Sequence, residues 1–159
     1  MVQTDRGGQV TYHGPGQLVV YCLLNMHCKD YGVRGLVQRL EKAIIDQLDD
    51  YGVPATQKAG APGVYVQGRK IAALGIRVKR GRTWHGIALN VNMDLSPYNG
   101  INPCGYRGLE ITQLGDIVPG KSVSEVATDL LPRLASCLEL GQPIRAGEAT
   151  PENRYLAQL

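Results

Sequence analysis

Apolar residues are spaced along the chain in three ways, and each spacing predicts a different element. Residues 18–24 read Leu-Val-Val-Tyr-Cys-Leu-Leu, an unbroken apolar run of strand length. It predicts a strand buried on both faces. Val33, Leu36, Val37, Leu40, Ile44, Ile45, Leu48 and Tyr51 recur at three- and four-residue intervals, which predicts an amphipathic helix. Asp30 is placed to cap its start and Gly52 to end it, while Arg34, Arg39, Glu41, Lys42, Asp46 and Asp49 fall on the solvent side. Further on, residues 64–68 read as a strand leading into a turn, and residues 70–79 and 83–92 as strands joined by a turn, the pattern of an antiparallel meander. Residues 94–108 carry Pro97, Gly100, Pro103, Gly105 and Gly108 and read as irregular. Ser122 and Glu125 form a capping box. It opens a helix with Val123, Val126, Ala127, Leu130, Leu131, Leu134 and Leu138 inward, in which Pro132 predicts a kink or a split. From Gly141 onward the chain is polar and reads as a loose tail. The fold class is α+β, a mostly antiparallel sheet flanked by helices, in a single domain spanning residues 1–159.

Composition narrows the classes. With 43% hydrophobic and 19% charged residues and a net charge of +3, the chain is no charge-expanded disordered polymer. No apolar run approaches the roughly 20 residues that span a bilayer, which excludes an integral membrane protein. Cys22, Cys28, Cys104 and Cys137 form no C-x-x-C pair, so a metal site is not expected, and they are too sparse for a disulfide scaffold. No leader pattern stands at Met1, and the expected setting is a reducing cytoplasm. Nucleic acid is disfavoured, because the net charge is small and no aromatics interleave the cations. No cofactor is predicted: no G-K-[ST] follows the glycines of the N-terminal segment, and no G-x-G-x-x-G opens a helix.

Two residues stand out chemically. Strict alternation along residues 70–78 puts Lys70 on one face with Ala72, Leu74, Ile76 and Val78, the single cation on an apolar side. A desolvated lysine can act as a base; a lysine that begins a strand can equally snorkel to water. Cys104 lies in Asn102-Pro103-Cys104-Gly105, where Pro103 stiffens the approach and Gly105 lets backbone pass close to a ligand. Such a thiol needs a neighbouring base or cation, for which Lys70, His13 and His85 are candidates. The glycines around Arg6 and His13 could cradle a ligand or simply serve tight turns. Arg69, Lys70, Arg77, Lys79, Arg80 and Arg82 form a basic cluster without an acid among them, suited either to water or to an acidic partner.

Taken together, these segments resemble the octanoyltransferases of lipoate biosynthesis, members of the biotin/lipoate ligase superfamily. Arg6-Gly7-Gly8-Gln9-Val10-Thr11-Tyr12-His13-Gly14-Pro15-Gly16-Gln17 is similar to their signature. Gly68-Arg69-Lys70-Ile71-Ala72-Ala73-Leu74-Gly75, His85-Gly86-Ile87-Ala88-Leu89-Asn90-Val91 and Ile101-Asn102-Pro103-Cys104-Gly105 are similar to three further motifs, in the same order. The resemblance implies transfer of an octanoyl group from acyl carrier protein to a lysine of lipoyl domains, in 2-oxoacid dehydrogenases and the glycine cleavage H protein. Cys104 would be the nucleophile that forms an octanoyl thioester, and Lys70 the acid and base. Arg6, Gly7, Gly8, Gln9, Val10, Thr11, Tyr12, His13, Ala73, Leu74, Gly75, Gly86, Ile87 and Ala88 would line the acyl site. A monomer is expected. Thioester exchange is nearly isoenergetic, so no nucleotide is required.

Members of this family carry a further segment ahead of the Arg6 motif, so a sheet edge and part of the acyl channel are expected to be absent. Three rivals remain distinct. An ATP-dependent lipoate ligase would need no cysteine. An inactive fragment that binds carrier protein would need neither Cys104 nor Lys70. A hydrolase using Cys104 and His85 would release free octanoate.

Overall fold

The computed structural model describes residues 10–102 and 108–140. Among these residues five strands form one sheet: β1 (Gln17–Tyr21), β2 (Thr56–Gln57), β3 (Val64–Val66), β4 (Arg69–Lys79) and β5 (Arg82–Asn90), in the order β1-β5-β4-β3-β2. All of these pairings are antiparallel. Helices α1 (Val33–Asp50) and α2 (Val123–Cys137) pack on each other, with α1 against β3 and β4 and α2 against β1. The expected meander and α+β layering are therefore present. The β4–β5 hairpin turns through Arg80 and Gly81, both at positive φ (51° and 72°), the geometry of a type I′ turn.

The core lies between the helices and one face of the sheet. Leu36, Leu40, Ile44 and Leu48 form the buried stripe of α1, which meets Leu18, Val64, Val66, Ile71, Ala72, Ile87 and Leu89 from the sheet. Val126, Leu130 and Leu134 of α2 close the same core. The Ser122–Glu125 capping box is formed as expected.

Five local expectations change. Residues 18–24 are not buried on both faces: among the described residues β1 pairs only with β5, Leu18 is buried, and Tyr21 is 65% exposed. An apolar run cannot by itself reveal which face lacks a covering layer. Helix α1 begins at Gly32 without a side-chain cap, so Asp30 plays no such part. Helix α2 runs unbroken through Pro132, and Leu131 lies outside rather than inside. Glu41 is buried, not solvent-facing. No helix among the described residues is long and apolar enough to cross a membrane.

Candidate active site

Lys70 owes its position to an irregularity in β4. Across the sheet Val64 pairs with Ala72, but the next residue, Tyr65, pairs with Lys70. One step along β3 thus matches two steps along β4, a β-bulge at Ile71. Ile71 and Ala72 both enter the helix-side core. Lys70 is turned to the opposite face together with Tyr65, so strict alternation with Ala72, Leu74, Ile76 and Val78 does not hold. Lys70 is only 3% exposed. Its Nζ donates to the Pro62 carbonyl at 3.0 Å and stands 5.3 Å from the centre of the Tyr65 ring. The neighbouring glycine makes room, since a Cβ on Gly63 would lie 2.8 Å from Lys70 Cε.

The backbone of Lys70 is clamped on its other side. Its N–H donates to the Glu110 carbonyl (2.8 Å) and its carbonyl accepts from Thr112 N–H (2.9 Å), with Ile111 forming a parallel bridge to Lys70. A side-chain chain reinforces this junction. Asn90 Nδ2 donates to the Thr112 carbonyl at 3.0 Å, and Gln17 Nε2 donates to Asn90 Oδ1 at 2.8 Å. His13 Nδ1 lies 2.7 Å from Gln17 Oε1, a contact that requires the proton on Nδ1. The Tyr98 hydroxyl donates to the Tyr12 carbonyl at 3.0 Å, and the two rings meet edge to face. Thus the His13 motif, the Asn90 motif and the Lys70 motif join in one hydrogen-bonded network. Thr112 Oγ1 is buried there with no hydrogen-bond partner among the described residues. Thr112→Val is expected to raise stability by about 1 kcal/mol, because it removes an unpaired hydroxyl and leaves both backbone bonds intact. Denaturant unfolding checks it.

Register also brings together two motifs predicted to line one site. Ala73 pairs with Ala88 and Gly75 with Gly86, while Val19 of β1 pairs with Ala88. Because side chains alternate, Ala73, Gly75, Ala88 and Val19 share the face onto which the bulge turns Lys70. Leu74 and Ile87 point the other way, toward the helices. Gly86 has a packing reason of its own: a Cβ there would collide with the Val20 carbonyl of β1. Val10, Thr11, Tyr12 and His13 are described but form no strand.

Arg6, Gly7, Gly8, Gln9, Cys104 and the tail 141–159 lie outside the described residues. Of the described cysteines, burial pushes the Cys22 thiol up to about 11, which makes it a poor nucleophile. Cys28 is exposed. His85 pairs with Ile76, and Lys70 lies further back along β4 at the Tyr65 pairing. At about 3.3 Å per residue the two are roughly 20 Å apart along the strand, so they cannot both serve one thiol. Lys79, Arg80 and Arg82 rim an open depression of about 610 Å³ with His27 and Trp84. No cluster of His, Cys, Asp and Glu among the described residues is arranged to hold a metal.

Residues 1–135 match the family description "Lipoyl protein ligase A/B catalytic domain". This chain belongs to that family. It is 54% identical over 149 residues to an octanoyltransferase of Laribacter hongkongensis, covering 94% of this chain and 71% of that protein. An octanoyltransferase of Pseudomonas putida is 56% identical over 142 residues, covering 89% of this chain and 66% of that one. The chain thus spans about two thirds of the length of these relatives. Among solved structures, the bi-partite lipoate protein ligase of Thermoplasma acidophilum aligns with TM-score 0.69 at 19% identity, covering 97% of this chain and 63% of that one. The biotin protein ligase of Aquifex aeolicus aligns at 0.64 and 22% identity, covering 78% and 53%. At these identities the structural likeness shows the shared ligase-like fold, as expected. A family of enzymes whose relatives above half identity are octanoyltransferases places the chain among transferases.

Proposed function

We propose that this chain transfers an octanoyl group from octanoyl-acyl carrier protein to a lysine of lipoyl domains, through a thioester on Cys104 with Lys70 as acid and base. The observation that carries the reading is a lysine buried beside small residues: Lys70, Ala73, Gly75 and Ala88 share one sheet face. The high identity to octanoyltransferases supports the acyl group, and the lipoate ligase fold supports the lipoyl acceptor.

In the first half-reaction Lys70, as the base, takes the Cys104 proton. The thiolate attacks the donor carbonyl, and the carrier sulfur leaves with the proton returned from Lys70. In the second, the acceptor lysine amine attacks the Cys104 thioester, the carbon–sulfur bond breaks, and the amine proton reaches the leaving sulfur through Lys70. Small side chains on the Lys70 face leave room for an aliphatic chain, whose burial contributes about 0.8 kcal/mol per methylene. The basic β4–β5 hairpin suits an acidic carrier protein.

Intact-mass measurement after mixing with octanoyl-acyl carrier protein, without ATP, tests the reading. One octanoyl group is expected on the chain, mapped to Cys104 and discharged by a lipoyl domain. The likeness to ligases makes ATP-dependent ligation the second reading. Strict ATP dependence with no covalent adduct would establish it instead, and release of free octanoate would mark a hydrolase.

A further inference from the structure

Glu41 brings a carboxylate into the buried face of α1, at 6% exposure, where an apolar residue would pack without cost. Its Oε1 accepts from Gly63 N–H at 2.8 Å. That N–H belongs to the Pro62–Gly63 peptide, and the carbonyl of the same peptide accepts from Lys70 Nζ at 3.0 Å. The described peptides include no cis bond. In a trans peptide the N–H and C=O point in opposite directions, and the plane moves as one piece. Holding the N–H toward α1 therefore aims the carbonyl toward the face that carries Lys70. Gly63 sits at φ 141°, where its backbone is free to present the peptide this way. A carboxylate on the N–H also polarises the amide and makes its oxygen a better acceptor.

We propose that Glu41 is a positioning residue for Lys70: it fixes one peptide plane whose carbonyl orients the lysine amine. The bond from Lys70 Nζ to the Pro62 carbonyl fixes the direction in which the amine is presented. The inference rests on the acyl-transfer reading for its kinetic consequence, but its geometry stands apart from it.

The full chain carrying Glu41→Met or Glu41→Gln tests it with two readouts. One is kcat and KM for octanoyl transfer. The other is the rate at which acetic anhydride modifies Lys70 relative to exposed Lys79, followed by peptide mass spectrometry. Glu41→Met has no oxygen acceptor; kcat is expected to fall about tenfold with KM nearly unchanged, and the Lys70 acetylation ratio to change about threefold or more. Glu41→Gln keeps an oxygen for the Gly63 N–H and is expected to recover most of both. An unchanged acetylation ratio in the Met variant overturns the proposal, whether or not kcat falls, because a purely structural carboxylate would alter stability alone. Should Glu41→Met fail to fold, Glu41→Asp, which draws the carboxylate back by one methylene, replaces it under the same criteria. A wild-type chain without octanoyl transfer refutes the proposed activity, and the acetylation ratio then decides the role of Glu41 by itself.

Discussion

Lys70→Met is expected to lower octanoyl transfer by about 10²–10⁴-fold, the range typical for loss of a positioned acid–base group. The fold should survive. Methionine is close to lysine in length and fills the same space, and the amine it removes is 3% exposed, so the variant sheds a desolvation cost as it loses the bond to Pro62. Lys70→Arg is expected to be nearly as inactive, because a guanidinium does not release its proton near neutral pH. That separates a lysine needed for proton transfer from one needed only as a positive charge, which arginine would replace. Single-turnover transfer rates, with thermal unfolding as the control, give the answer. A Met variant that acylates at the wild-type rate would remove Lys70 from the chemistry.

Four of the five strands described were legible because strong turn signals separate them, whereas the two-residue β2 carries no pattern of its own; both helices were legible because their apolar stripes repeat at helical spacing. Face assignments were less accessible. Period-two reasoning placed Lys70 beside Ala72, and only the pairing of Tyr65 with Lys70 reveals the extra residue in β4. Nothing in Lys70-Ile71-Ala72-Ala73 marks a bulge; the signal resides in the partner strand and in the Glu110–Thr112 segment that pairs beyond it. The exposed side of β1 was hidden for a related reason, since an edge strand and a central strand can carry the same residues. Glu41 was assigned to solvent by its charge, yet a backbone N–H far along the chain pays for its burial. Long-range pairings of this kind have no local period. Motif-level reading did single out two segments, Ala73–Gly75 and Gly86–Ala88, that meet by simple hairpin register. Within those motifs it did not separate Ala73 and Ala88 from Leu74 and Ile87, which face the helices.

The bulge makes a second large effect testable, because it ties core packing to the site. Ile71 is fully buried and is the residue by which β4 gains its extra step. Ile71→Ala is expected to cost about 3 kcal/mol and to lower the unfolding midpoint by about 6–12 °C. Leu130→Ala, from an equally buried position on α2, is expected to cost as much. The two should differ in activity. Helix α2 packs on α1 and β1 rather than on β4, so a cavity there leaves the Lys70 backbone clamped. A cavity at Ile71 loosens the anchor that holds two consecutive residues on the helix side. Each slip of the bulge would swing Lys70 toward the apolar core, where its amine finds no use. Transfer per folded molecule is therefore expected to drop severalfold in Ile71→Ala and to stay unchanged in Leu130→Ala, while Ile71→Val costs only about 1 kcal/mol and keeps most activity. Denaturant titration paired with transfer rates at a temperature where each variant is folded makes the comparison. Equal activities in Ile71→Ala and Leu130→Ala would show that the bulge is held by its hydrogen bonds to residues 110–112 and not by the isoleucine.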